Sequence, residues 1–293
     1  MPTQAYRAIC FDLDGTLLSQ DLDEFLNYYF TAVAQYMAKQ GIPGQPFMAD
    51  FMKGAKAMSN VEDRRTNEAV FWDTFMRLAA ETMPEVTWTV EEWTSRLMDF
   101  YQNVFPAVGK DVAPDQNMIA AVDVLGCKGY PLLLTTMPLF PVQAVEVRLG
   151  WAGLTTQPFQ RITTYSNSTA AKPHLEYYAE NLAAMGLSGE DVLMVGNNTV
   201  EDLAFMRLGA DSYLITDQLL NPINLDLSCV RHGSSAEFLA WATALPACEN
   251  PVRNVETGVI ETAESERVRK QCLLSDEALK QRITAFAAAS TQQ

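Results

Sequence analysis

The chain has 293 residues, 48% of them hydrophobic and 19% charged, enough for one large or two modest globular domains with a proper core. Its formal net charge of −15 disfavours nucleic acid and anionic membranes as partners, so an anionic ligand would have to be drawn in by a local electropositive site. Five scattered cysteines with no Cys-x-x-Cys pair and only two histidines, His174 and His232, argue against a disulfide framework and a zinc or histidine-based metal centre. The first ten residues lack a charged-then-apolar signal pattern, and no apolar run approaches the ~18 residues that span a bilayer. A reduced, cytoplasmic protein is therefore expected.

In chain order, Ala8 to Phe11 is a short apolar run stopped by Asp-x-Asp-Gly, which predicts a buried strand ending in a polar loop. From about Leu18 to Pro106 the pattern reads as all helix. Leu22, Phe25, Leu26, Tyr29, Val33 and Met37 share one helical face, and Thr89 with Glu92 forms a capping-box signal ahead of the stripe Trp93, Leu97, Phe100 and Val104. Strand-like runs then recur at Pro131–Thr135, Arg161–Tyr165, Val192–Val195 and Ser212–Ile215. Helical patterns occupy Ala113–Leu125, Pro141–Gly150, Pro173–Met185 and Val200–Leu208. Strands alternating with helices predict an α/β fold, a doubly wound parallel sheet covered on both faces, whose ligands sit at the carboxyl ends of the strands. Asp12, Thr136 and Asn197 fall at such ends. The expected organisation is a catalytic core of residues 1–17 and 107–245, an inserted helical cap at 18–106, and a linker with a C-terminal helix at 246–293. In that last helix Leu279, Ile283 and Phe286 share a face.

Asp12 and Asp14 lie one residue apart at a strand end and point the same way. Uncompensated, they would repel; a divalent cation or a shared proton removes that cost. Gly15 permits a tight turn or close ligand approach. The combination suits phosphoryl transfer, in which one carboxylate attacks phosphorus, the other moves a proton, and a metal neutralises charge. An acidic surface turn would explain Asp-x-Asp alone, but not the apolar strand before it and Thr16-Leu17-Leu18 behind it.

The segment Phe11-Asp12-Leu13-Asp14-Gly15-Thr16-Leu17 resembles the first signature of the haloacid dehalogenase superfamily, in its phosphatase branch. The later signatures follow in order. Leu132 to Thr136 is an apolar strand ending in a hydroxyl, with Thr136 preferred over Thr135 because the Met137-Pro138 loop follows. Lys172-Pro173 opens a helix. Val192 to Val195, Gly196 and Glu201-Asp202 form the last. The resemblance spans residues 6 to 215 and implies a core of Rossmann type with a cap.

It implies that Asp12 is the nucleophile that becomes an aspartyl phosphate and that Asp14 is the acid and then the base. Thr136 and the N–H of Met137 would bind phosphate, and Lys172 would offset charge. A magnesium ion would be held by Asp12, Asp14 through its carbonyl, Asn197 and Asp202. The substrate would be a small phosphate ester closed off by the cap. One departure bears on the metal. Asn197 and Asn198 stand where an aspartate is usual, which removes a negative charge from the metal site. Four readings follow: an active phosphatase, a ligand- or partner-binding member without turnover, a phosphomutase, and a metal-free dehalogenase, the last disfavoured by Asp14. Arg64 and Arg65 read as an exposed basic pair rather than as part of the site.

Overall fold

The computed structural model describes residues 6–290, with side chains through residue 285. Six parallel strands form one sheet: β1 (Ala8–Phe11), β2 (Leu132–Leu134), β3 (Phe159–Ile162), β4 (Val192–Gly196), β5 (Asp211–Ile215) and β6 (Arg231–Gly233), in the order β3-β2-β1-β4-β5-β6. The strand order reverses about β1, which lies next to β4 and β2 and is buried along its whole length. Parallel strands must be covered on both faces, and the β1 side chains alternate accordingly. Ile9 and Phe11 join one apolar cluster with Leu132, Leu134, Leu193 and Val195. Ala8 and Cys10 join another with Leu133, Val192 and Met194.

Four helices intervene between β1 and β2: α1 (Leu22–Lys39), α2 (Gly44–Ala57), α3 (Asn67–Thr82) and α4 (Val90–Asn103). Asp21 caps α1 by accepting from Glu24 N, and the expected capping box of Thr89 and Glu92 opens α4. Of the expected α1 face, Phe25, Tyr29, Val33 and Met37 are buried, while Leu22 at its first turn is exposed. These helices share an aromatic core in which Phe47 stacks on Trp93 and Phe75 meets Trp93 edge-on. The helical cap thus has a core of its own. It continues onto the sheet side through Ala144 and Tyr165, with Phe140, Val147 and Trp151 packed against it.

The sheet is flanked by α5 (Gln116–Cys127), α6 (Val142–Trp151), α7 (Leu175–Met185) and α8 (Ser235–Ala244); α9 (Thr262–Cys272) and α10 (Asp276–Ser290) complete the chain. Several boundaries differ from expectation. The run expected at Arg161–Tyr165 pairs as a strand only to Ile162, after which Asn167 accepts from the Thr164 N–H and turns the chain. The Lys172–Pro173 peptide is cis and α7 starts at Leu175, two residues beyond the expected start. The segment expected as a helix from Val200 is a 3-10 helix over Asp202–Leu208. The short strand Arg231–Gly233 and α9 carry too few apolar residues to signal themselves by periodicity.

The segment after α8 is not free of the core. Val252 N donates to Arg7 O, and the buried Arg161 donates through Nη1 to the carbonyls of Glu256 and Gly258. The last helix packs Leu279 and Ile283 beside Leu203, Met206, Leu214 and Val230. The side chain of Phe286, expected on the same face, lies outside the described residues. The five cysteines are free thiols. Among the described residues no helix is long and apolar enough to cross a membrane.

Candidate active site

Three strand ends converge on one place. Asp12 follows the last residue of β1, and its N–H donates to Val195 O in β4 at 2.8 Å. On the other side Phe11 pairs with Leu134, and Thr135 N donates back to Phe11 O. The first residues past β1, β2 and β4 are therefore held side by side. The loop carrying Lys172 closes over them. Its ammonium donates to Asp12 Oδ1 and to Asp202 Oδ1, both at 2.7 Å, and is almost wholly buried.

Burial works against the charge on Lys172, but the carboxylates of Asp12 and Asp202 outweigh it and hold the ammonium well above the usual lysine range. Burial pushes the Asp12 carboxyl up to about 7, with Lys172 opposing and Asp202 and Asp14 adding to the rise. A perturbed carboxyl with a charged partner at a strand end makes this a candidate reactive site.

Asp14 sits on the turn after β1. Gly15 has φ +79°, and a Cβ there would lie 2.1 Å from Asn197 Nδ2, so no larger residue fits the turn. The Asp14 carboxylate does not meet Lys172. Its Oδ1 accepts from Gln20 Nε2 at 3.0 Å and its Oδ2 from Arg148 Nη1 at 2.9 Å. Arg148 is 1% exposed, and its Nε and Nη2 have no hydrogen-bond partner. Sequence reading did not single out either partner. For Arg148 a signal exists: it falls on the same helical face as Ala144, Val145 and Leu149, the buried face of α6. A cation at a core position of an amphipathic helix needs a counter-charge.

The two candidate hydroxyls of β2 are distinguished by their partners. Thr135 Oγ1 donates to Phe11 O at 3.2 Å and is spent on the sheet. Thr136 Oγ1 is buried with no partner. The carbonyl of Thr136 is held by Thr163 Oγ1 and Tyr177 Oη, each at 2.8 Å, which fixes the backbone from which the hydroxyl projects. Met137, next in the chain, begins the loop that carries Pro138 and Leu139.

After β4 the chain makes a tight loop around Asp202. Its Oδ2 accepts from the N–H groups of Asn197 and Asn198, each at 2.9 Å, while its Oδ1 accepts from Lys172. A Cβ at Gly196 would lie 2.2 Å from that carboxylate. Asn198 turns its side chain to the N–H groups of Val200 and Glu201, as a helix cap does. Asn197 faces Asp14's turn: its Oδ1 accepts from Thr16 Oγ1 at 3.3 Å and its Nδ2 donates to Gln218 O at 2.7 Å.

The oxygen atoms gathered here are a carboxylate of Asp12, the carboxamide of Asn197 and the backbone of the Asp14 turn. Hard oxygen donors of this kind suit magnesium, which takes one or two carboxylates and keeps several waters. Among the described residues no group of three or more His, Cys, Asp or Glu forms a ready-made metal cage. Arg64 and Arg65 stand outside the site, Arg64 paired with Glu266 and Arg65 with Asp63.

A parallel sheet with a carboxylate pair at the end of an inner strand, beside an inserted helical cap, defines an α/β protein with a candidate catalytic centre at its strand ends. The chain belongs to the haloacid dehalogenase-like hydrolases, whose family description matches residues 6–209. It is 26% identical over 192 residues to pyrophosphatase PpaX of Oceanobacillus iheyensis, an alignment that covers 66% of this chain and 75% of that protein. The fold resembles the HAD phosphatase from Thermococcus onnurineus, with a TM-score of 0.51, 16% identity, and coverage of 82% of this chain and 99% of that one. It also resembles an L-2-haloacid dehalogenase from Xanthobacter autotrophicus, with a TM-score of 0.44, 15% identity, and coverage of 90% and 97%.

Proposed function

We propose that this hydrolase is a phosphatase that cleaves a small phosphate monoester through an aspartyl phosphate on Asp12, with magnesium as cofactor. The observation that carries this reading is the buried, unpartnered hydroxyl of Thr136. It lies at the end of the strand beside Asp12 and its 2.7 Å partner Lys172, where a phosphoryl oxygen would accept from it. The pyrophosphatase name of the Oceanobacillus relative also supports phosphate chemistry.

With Oδ1 of Asp12 held by Lys172, Oδ2 attacks phosphorus as the ester P–O bond breaks. In this reading Asp14 supplies the proton to the departing alkoxide, which requires that substrate displace Gln20 or Arg148 from one of its oxygens. Asp14 then takes a proton from water as that water attacks the phospho-enzyme, and the bond from phosphorus to Asp12 breaks. Thr136 Oγ1 and the N–H of Met137 donate to phosphoryl oxygens, and Lys172 offsets the charge between nucleophile and phosphate. Magnesium, when bound, neutralises charge on the phosphoryl group, and Asp12, Asn197 and the carbonyl of Asp14 would hold it. Asp202, with both oxygens engaged, serves in this reading to anchor Lys172 and the Gly196 loop rather than to bind metal.

The test is release of inorganic phosphate from a panel of phosphate esters with magnesium, with EDTA, and by the Asp12→Asn variant. Metal-dependent release that the substitution reduces to background is expected. Release unaffected by both treatments, or none from any ester, would overturn the proposal.

A further inference from the structure

An apolar cavity of about 110 Å³ lies between the cap helices and the loop that follows Thr136. Its walls include Tyr29, Phe51, Leu97, Tyr101, Phe140 and Tyr165. The volume is on the order of the ~150 Å³ apolar space that admits one benzene ring. The hydroxyls of Tyr29 and Tyr101 are spent on each other at 2.8 Å. A second phosphate or a sugar placed there would lose its water without gaining partners.

None of Asp12, Asp14, Thr136, Lys172 or Arg148 lines the cavity, but two observations place it beside the site. Leu139, Phe140 and Pro141, which line it, continue the Thr136-Met137 segment. Arg148 bridges the rest: its Nη1 holds Asp14 at 2.9 Å, and its guanidinium lies 4.6 Å from the centre of the Phe140 ring. The Nε and Nη2 of this buried guanidinium have no acceptor. Buried donors on a charged group call for one. A second, polar cavity of about 320 Å³ is lined by Asp14, Gly15, Gln20 and Asn197, on the side where the metal would sit, and its mainly polar wall suits an ion and waters rather than a carbon skeleton.

We propose that the substrate is a phosphate monoester of a compact apolar alcohol, aryl or short branched alkyl. Its carbon skeleton fills this cavity, and an oxygen of the ester accepts from Arg148. The polar end of the assignment rests on the phosphatase reading above; the apolar end rests on the cavity.

The test is calorimetric binding of an alkylphosphonate series and of benzylphosphonate to the full chain with magnesium. Affinity is expected to rise roughly fourfold per methylene until the cavity is full. Benzylphosphonate is expected to bind at least about tenfold more tightly than methylphosphonate. Ala55→Trp, which places an indole in the cavity, is expected to collapse that ratio towards one. Equal affinity across the series, or a ratio untouched by Ala55→Trp, overturns the inference. The two readings fail separately. Preferential binding of benzylphosphonate without hydrolysis of any ester removes the phosphatase and keeps the cavity's assignment. Hydrolysis with a flat series removes the cavity's assignment alone.

Discussion

The amide of Asn197 has a partner that a carboxylate could not serve. Nδ2 donates to Gln218 O at 2.7 Å, an interaction open to a carboxamide and closed to a carboxylate. Asn197→Asp would set a carboxylate oxygen against that carbonyl. Without metal the variant should lose about 1–3 kcal/mol of stability, the scale of an unsatisfied buried acceptor. It also adds a charge beside the Asp14 turn, so magnesium should recover more stability in the variant than in the wild type. Thermal unfolding with and without magnesium measures both; equal metal-induced shifts would remove Asn197 from the metal's surroundings. The same contrast explains what could be read from residues alone. Asp12, Asp14 and Thr136 stand at or just past the edge of an apolar run, where a polar residue stands out, whereas Lys172 was legible only through the order of the family's motifs. Arg148 is 134 residues from the carboxylate it holds, and Gln218 is 21 residues from Asn197, so neither pairing has a local pattern to announce it.

At the scale of elements, the seam between cap and core joins aromatic packing of Phe25 and Tyr29 on Phe140 and Trp151 to a set of specific polar contacts. The first residues of α3 are fastened to the core: Asn67 N donates to Ser168 O at 2.9 Å and Glu68 N to Tyr165 O at 2.8 Å. The buried side chain of Asn67 donates to Pro138 O at 3.0 Å and to Ala170 O at 3.2 Å. Pro138 adjoins Met137, and Ala170 lies two residues before Lys172. Asn67→Ala would leave two buried carbonyls short of a donor at a cost of about 1–3 kcal/mol. Urea unfolding should show that loss, and KM should rise because both phosphate-side loops lose a tether; a stable variant with unchanged KM would remove this role.

Helix α7 carries a second element-scale prediction. Glu180 is 2% exposed and accepts from Thr169 N at 3.1 Å, and burial pushes its carboxyl up to about 7 against the opposing pull of Thr169 and Arg161. The folded state therefore holds this proton more tightly than the unfolded chain does. The stabilisation is complete below the ordinary glutamate range and is lost as pH rises through about 7. At about 1.4 kcal/mol per pH unit, the change amounts to a few kcal/mol. Glu180→Gln should flatten that part of the curve of Tm against pH between 5 and 8; an unchanged slope would assign the dependence elsewhere. The first five strands, helices α5 to α7, and the first and last helices of the cap were legible from periodicity and capping; α8 and the short sixth strand were not. The 3-10 helix from Asp202 was not, because its start is set by a carboxylate reaching back to Asn197 and Asn198.

For the whole molecule, charge decides how an anion approaches. The protein carries 36 acidic against 21 basic residues. The site does not reverse this: among the described residues Asp12, Asp14 and Asp202 are paired with two cations, Lys172 and Arg148, of which Lys172 is fully engaged and Arg148 spends one donor on Asp14. A phosphate dianion thus meets a repulsive surface and a site that is itself negative, which is why the proposed chemistry needs a divalent cation. Repulsion between exposed charges is screened by salt, as the Debye length falls from about 30 Å at 0.01 M to about 8 Å at 0.15 M. At fixed saturating magnesium, kcat/KM for a dianionic ester should therefore rise with added potassium chloride over that range, by roughly threefold for a repulsion of this kind. A monoanionic diester-like inhibitor should respond less. A fall in kcat/KM with salt would mean that attraction at the site outweighs the surface, and the substrate would then be steered by Lys172, Arg148 and the metal in spite of the acidic exterior.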